Sequence, residues 1–209
     1  FLQYMEERNR PGPNLIIVPT SVLPNWEREA AKFVPDMKRL VIYGTKREEM
    51  FKGIKDADIV ITTYALLRRD LEELLKHDYN AIILDEAQNI KNPNTITARS
   101  VRKLKGDFKL CLSGTPIENN LLELWSLFEF LMPGFLGSQH AFQKGFVKPI
   151  KDGDEESLEY LRNRVKPFIM RRTKSKVAKD LPPKMEHVYY SALMDDQQDL
   201  YSGLAKKLK

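Results

Sequence analysis

The sequence predicts an α/β fold in which a parallel β-sheet is flanked by helices. Four short, β-rich apolar runs recur through the first half of the 209-residue chain, longer segments of helical period separate them, and a small polar or acidic group follows each run. Runs that are apolar throughout, rather than at alternate positions, suit strands covered on both faces. Strand and helix in alternation imply crossover helices and a parallel sheet. Ligands of such sheets gather beyond the carboxyl ends of the strands, so the residues after each run are the ones to examine.

Residues 1–8 read as the tail of a helix that begins upstream. Leu15-Ile16-Ile17-Val18 is the first run, followed by Pro19-Thr20-Ser21 and a helical pattern over 22–33. Thr20 or Ser21 suits the cap of that helix, Pro24 fits its first turn, and Val22, Trp26, Ala30 and Phe33 share one face. Residues 58–62 form the second run and lead into Thr63-Tyr64; residues 81–84 form the third and lead into Asp85-Glu86-Ala87-Gln88. Residues 109–112 form the fourth and lead into Ser113-Gly114-Thr115-Pro116. Beyond 118 the pattern is helical, over 121–131 and, after a break at Pro133-Gly134, over 138–146. A polar turn at 151–156 precedes a basic segment, 162–184, which holds Arg171 and Arg172 and a single acid, Asp180. Leu181-Pro182-Pro183 stops the helix before it, and 189–209 reads as a short strand and then a helix. Three parts result: a sheet-bearing lobe at 1–118, a helical protrusion at 119–165, and a basic linker at 166–209.

Composition narrows the function classes. The chain is 42% hydrophobic and 30% charged, with a net charge of +5 that leans only slightly toward polyanionic partners. Cys111 is the one cysteine, which excludes a disulfide within the chain, and no metal-ligand spacing links it to His77, His140 or His187. That fits a reducing, intracellular compartment. The most apolar stretch, 121–132, is too short to span a bilayer and is interrupted by Glu123 and Glu129, so no membrane partner is expected.

The chemistry gathers at Asp85 and Glu86. Two adjacent carboxylates at the end of a buried strand can divide nucleotide hydrolysis, one holding Mg²⁺ through water and the other polarising the attacking water. Asp85-Glu86-Ala87-Gln88 resembles motif II of superfamily-two helicases in its DEAQ form, and Asn89-Ile90-Lys91-Asn92 is similar to the continuation typical of the SWI/SNF ATPases. Residues 16–26 resemble their motif Ia, 59–64 their motif Ib, and 112–120 their motif III. Pro133-Gly134-Phe135-Leu136-Gly137 and Phe168-Ile169-Met170-Arg171-Arg172-Thr173-Lys174 resemble segments found mainly in that family.

The resemblance implies the first RecA-like lobe of an ATP-dependent translocase on double-stranded DNA, a type that includes chromatin-remodelling ATPases. It implies Asp85 as the carboxylate that holds Mg²⁺ via water, Glu86 as general base, and Gln88 as sensor of the γ-phosphate or the facing lobe. It assigns Ser113, Gly114 and Thr115 to coupling nucleotide state to the DNA grip. Thr20, Ser21, Thr62, Thr63 and Lys91 are candidates for DNA phosphates, contacts that position a duplex without reading its sequence. Arg171 and Arg172 are placed near the junction with a second RecA-like lobe, where they suit bidentate pairs with carboxylates.

No Gly-x-x-x-x-Gly-Lys-Ser/Thr run occurs in the chain. By the resemblance the chain begins just past that loop and includes only the approach to the second lobe. ATP and Mg²⁺ are therefore expected as ligands of the full-length protein, with neither held tightly nor turned over by these 209 residues alone. Two other readings are a strand-separating helicase, disfavoured by the residues after the DEAQ box, and a non-catalytic scaffold, disfavoured by the intact Asp85, Glu86 and Gln88.

Overall fold

A computed structural model describes residues 2, 4, 12–114, 120–172, 185 and 187–207. The chain divides into two compact units, Phe1–Arg164 and Val165–Lys209. Five parallel strands of the first unit, β1 (Asn14–Val18), β2 (Arg39–Val41), β3 (Ile59–Thr63), β4 (Tyr79–Leu84) and β5 (Gly106–Cys111), lie in the order β2-β3-β1-β4-β5. The α/β class and all four expected strands are present. The addition is β2, whose three residues are too few to stand out as an apolar run.

Every residue of β1, β3 and β4 is buried. Leu15, Ile17, Val60, Ile82 and Leu84 enter one core, while Ile16, Val18, Ile59, Ile61 and Ile83 enter the other. Two-sided burial is why the runs show no alternation, and each such side chain contributes about 1.5–3 kcal/mol relative to exposure. The approach of β5 to β4 is close. A Cβ on Gly106 would stand 2.8 Å from Ile82 Cγ1, so any side chain there forces the buried Ile82 to shift.

Helices cover the two faces unequally. The first core takes Leu67 from α2 (Tyr64–Arg69), Ala98 and Val101 from α3 (Ile96–Lys103), and Leu127 and Phe130 from α4 (Leu121–Leu131). The second core takes Leu23 and Ala30 from α1 (Leu23–Phe33). A groove of about 420 Å³ remains beside α1, lined by Ile16, Trp26, Phe33, Ile83, Leu110 and Leu112 among others. Phe33, expected on the buried stripe of α1, is 64% exposed on its rim.

Thr20 and Ser21 do not cap α1. They lie in a 3-10 turn, Thr20–Val22, that precedes it, and neither hydroxyl makes a capping hydrogen bond. The backbone turns before the α-helix begins, so a cap has no free N–H groups where these hydroxyls stand. Pro24 does occupy the first turn of α1.

The segment set apart as a protrusion opens with a helix that belongs to the core. Asn120 caps α4 by accepting from the Leu122 N–H at 3.0 Å, and Leu124, Trp125, Leu127, Phe128 and Phe130 are buried. α4 thus packs into the same core as the sheet. The helix expected over 138–146 is α5 (Gln139–Phe142), capped by Ser138. It runs through a π-helical turn, Gln143–Val147, into α6 (Lys148–Lys151). The π turn widens the helix ahead of Pro149, which has no N–H and whose ring crowds an ordinary α-turn.

The last helix of this part is α7 (Glu155–Val165), and the Leu181-Pro182-Pro183 stop expected further on lies outside the described residues. A 3-10 turn, Lys166–Phe168, follows. In the second unit no strand forms among the described residues of 187–194; Tyr189 and Tyr190 are exposed there without a neighbouring strand. The helix α8 (Asp195–Lys207) is present. Most of residues 1–8, and all of 115–119 and 173–184, lie outside the described residues. Among the described residues no helix is long and apolar enough to cross a membrane.

Candidate functional site

All four sequence-identified strand ends emerge at one edge of the sheet, its carboxyl-terminal rim. Asp85 follows β4 directly, and its N–H donates to the Ile17 carbonyl at 2.9 Å, which carries the β1–β4 pairing one residue beyond the strand. The rim of β5 joins in: the Leu112 N–H donates to the Leu84 carbonyl and the Ala87 N–H to the Leu112 carbonyl, both at 2.8 Å. The loop after β4 is therefore built onto the end of β5.

Asp85 is held at three atoms. Its Oδ1 accepts from the Glu86 N–H at 2.9 Å, its Oδ2 from the Trp26 indole N–H at 2.6 Å, and its main-chain carbonyl from the Tyr64 hydroxyl at 2.7 Å. Burial, with the neighbouring Cys111, Asp85 and Glu86 adding to it, pushes the Tyr64 phenol far above its usual range. It is thus a neutral, permanent donor. Burial likewise pushes the Cys111 thiol up to about 12, so the single cysteine is a small apolar residue of β5 and not a nucleophile.

Glu86 has φ 49° and ψ 54°, the one non-glycine residue with positive φ among the described residues. A left-handed backbone at a glutamate costs roughly 1–2 kcal/mol, and such strain gathers where a side chain must be aimed. The effect here is to turn the chain sharply after the buried strand and to bring Glu86 Oε2 within 2.8 Å of the donating Gln88 Nε2. Gln88 Oε1 in turn accepts from the Ser113 hydroxyl at 3.3 Å. Asp85, Glu86, Gln88 and Ser113 thus form one linked group. Gly114 is an exposed bend with open space around its Cα, and Thr115 lies outside the described residues.

Among the described residues no three His, Cys, Asp or Glu side chains cluster closely enough to hold a metal. The half-buried Asp85 and Glu86 offer a partial hold instead. Mg²⁺ keeps several waters and is usually bound by one or two carboxylates together with substrate phosphates, so this donor set fits it.

The residues assigned to DNA phosphates separate into two groups. Thr20 and Ser21 are exposed at the rim, in the turn after β1. Thr62, Thr63 and Lys91 are buried. Thr62 is 1% exposed and donates to the Ile42 carbonyl at 3.2 Å, tying β3 to the end of β2. Thr63 is equally buried and caps α2, accepting from the Leu66 N–H. Lys91 is 7% exposed with its Nζ 3.2 Å from Glu123 Oε2, an ion pair that fastens the turn after β4 to α4. The Ser126 hydroxyl reinforces that junction by donating to the Ile90 carbonyl at 2.6 Å. Arg171 and Arg172 are exposed and belong to the second unit.

Trp26 and Tyr64 were not among the residues singled out for the site. Both are amphipathic side chains with an apolar body and one polar donor, and both follow a rim strand closely, which is the signal that sequence alone provides.

A family model described as the SNF2-related domain matches residues 1–209. YwqA of Bacillus subtilis, named for ATP-dependent helicase or translocase activity, is 45% identical over 212 residues, covering 99% of this chain and 23% of that protein. A TATA-binding protein-associated factor of Saccharomyces cerevisiae is 43% identical over 215 residues, 96% of this chain and 12% of its own length. The SWI2/SNF2 ATPase core of Sulfolobus solfataricus, solved in complex with double-stranded DNA, superposes with a TM-score of 0.80 at 41% identity. That match covers 99% of this chain and 44% of the Sulfolobus chain. The chain thus spans less than a quarter of these two curated relatives.

Proposed function

The chain belongs to the SNF2-related domain family, and from that premise we propose that it is part of the first RecA-like lobe of an ATP-driven translocase on double-stranded DNA. The observation that carries the reading is the linked group of Asp85, Glu86, Gln88 and Ser113 at the carboxyl-terminal rim. Asp85 holds the water shell of Mg²⁺ and Glu86 takes a proton from the attacking water. Held there, Mg²⁺ would supply positive charge to offset that developing on the phosphate oxygens. Gln88 lies between Glu86 and Ser113, so a change at the nucleotide reaches the end of β5 through two hydrogen bonds. By the family resemblance, Thr115 shares that coupling role.

Thr20 and Ser21 contact the DNA backbone. Hydroxyl contacts to phosphate carry no sequence information, which suits a motor that moves along any sequence. Arg171 and Arg172 face carboxylates at the junction with a second lobe. The 209 residues alone lack a glycine-lysine phosphate loop, and the charge of the β- and γ-phosphates needs such a cradle of N–H groups and a lysine. Turnover therefore belongs to the full-length protein.

The test is phosphate release by the full-length protein with duplex or single-stranded DNA, beside its Glu86→Gln variant. Duplex-stimulated turnover is expected, and the variant should lose at least about a hundredfold, the lower range for general base catalysis. Turnover that is indifferent to Glu86→Gln sinks the catalytic assignment. Stimulation by single strands alone replaces the duplex translocase with a strand-separating helicase.

A further inference from the structure

We propose that Trp26 is a positioning residue for Asp85, fixing which face of its carboxylate is turned to the metal. The proposal rests on the functional reading above and adds a residue to it. The indole Nε1 donates to Asp85 Oδ2 at 2.6 Å, shorter than an ordinary N–H···O bond, and an ionised acceptor favours a short bond. The other oxygen, Oδ1, is engaged by the Glu86 N–H. The backbone beneath is fastened by Tyr64 and by the pairing to Ile17. Rotation of the carboxylate about its side-chain bonds breaks at least one of these contacts, so the group has one orientation.

The surroundings strengthen the hold. Trp26 lies along the apolar groove beside α1, whose walls include Ile16, Ile83 and Leu110, and a hydrogen bond in such low-polarity surroundings is stronger than the same bond in water. An indole is a donor only. It never competes for the metal, and it leaves the remaining lone pairs of both carboxylate oxygens available to bound water. A phenylalanine here fills similar space and orients nothing. Trp26 stands on the helix that follows the 3-10 turn holding Thr20 and Ser21, so the residue that sets the carboxylate is joined to the exposed hydroxyls by one short turn.

Two measurements decide the proposal. Trp26 and Trp125 are the only tryptophans, and Trp125 donates to the neutral Gly137 carbonyl. In the ¹⁵N-labelled 209-residue chain, Trp125→Phe therefore assigns the Trp26 indole signal. Asp85→Asn should move that signal and hasten its exchange with solvent while leaving Trp125 in place.

In the full-length protein, Trp26→Phe should raise the Mg²⁺ concentration for half-maximal turnover by about tenfold, the lower end for loss of an outer-shell partner. Benzothienylalanine at position 26 keeps the indole shape, replaces the N–H with sulfur, and should reproduce the shift. An indole signal that ignores Asp85→Asn shows that the bond is absent and overturns the proposal. A benzothienylalanine variant with unaltered Mg²⁺ dependence shows that the bond positions nothing and overturns it as well. A full-length protein without ATP turnover fells the functional reading and the positioning role together, even where the indole bond is present.

Discussion

Glu86 shows how a single residue records a conflict between stability and use. Its left-handed backbone is one that glycine adopts freely and glutamate does not. Glu86→Gly is therefore expected to match or exceed the native chain in thermal midpoint, by an amount near the 1–2 kcal/mol cost of the conformation less the extra chain entropy of glycine. Glu86→Gln, which keeps the strained backbone, should not gain. Differential scanning calorimetry of the two variants separates them, and a Gly variant markedly less stable than the Gln variant contradicts the strain. Asp85, Glu86 and Gln88 were legible because their type and spacing are local. The burial of Thr62, Thr63 and Lys91 was not legible because burial is not local: the partner of Lys91 is Glu123 on α4, and that of Thr62 is the Ile42 carbonyl after β2. The role of Trp26 was hidden for the same reason, since nothing in its own segment names Asp85 as acceptor.

Among the elements, the four strands that carry an apolar run were legible and the short edge strand β2 was not. Residues 15–18, 58–62, 81–84 and 109–112 announce themselves as apolar runs, whereas β2 is a short, partly exposed edge. Helix ends were read well where a side chain caps and poorly where the chain turns first. Asn120 and Ser138 cap as their residue types suggest, while the 3-10 turn ahead of α1 removes the need for Thr20 or Ser21. The start of α7 gives a pH prediction. The Asp154 carboxylate accepts from the Ser157 hydroxyl and from the N–H groups of Ser157 and Glu156. Those bonds, the Ser157 hydroxyl first, hold its acidity constant below the ordinary 3.8. A carboxyl lowered by folding stabilises fully above its unfolded value and loses that contribution as pH falls through the folded one. Fraying of α7, followed by amide hydrogen exchange at residues 156–158, should therefore rise below about pH 4. Asp154→Asn, which does not titrate, should flatten that rise, and an equal acid response in the Asn variant removes Asp154 as its cause.

For the molecule as a whole, the decisive property is that the sheet is better covered on one face and along one part of its width. Among the described residues the first core is roofed by α2, α3 and α4; the second has α1, Leu2 packed against it, and then the groove. The strand order leaves β2 and β5 at the edges. The edge at β2 is three residues long and offers little to pair with, but β5 is six residues long and ends beside the groove. Phe33, Phe108 and Leu112 are 64%, 41% and 36% exposed there and on the flank of β5. An uncovered strand edge next to apolar side chains is a template for pairing with another chain, and the charges of Asp107 and Lys109 on β5 only partly discourage it. The purified 209-residue chain is thus expected to self-associate as its concentration rises, with sedimentation velocity showing species larger than the 24.3 kDa monomer. Phe33→Glu combined with Leu112→Lys places charge on two walls of the groove without touching the linked group at the rim, and should return the chain to monomer. A chain that stays monomeric throughout, or association that ignores both substitutions, means that the groove and the β5 edge are not adhesive, and that the uneven covering of the sheet has no consequence in solution.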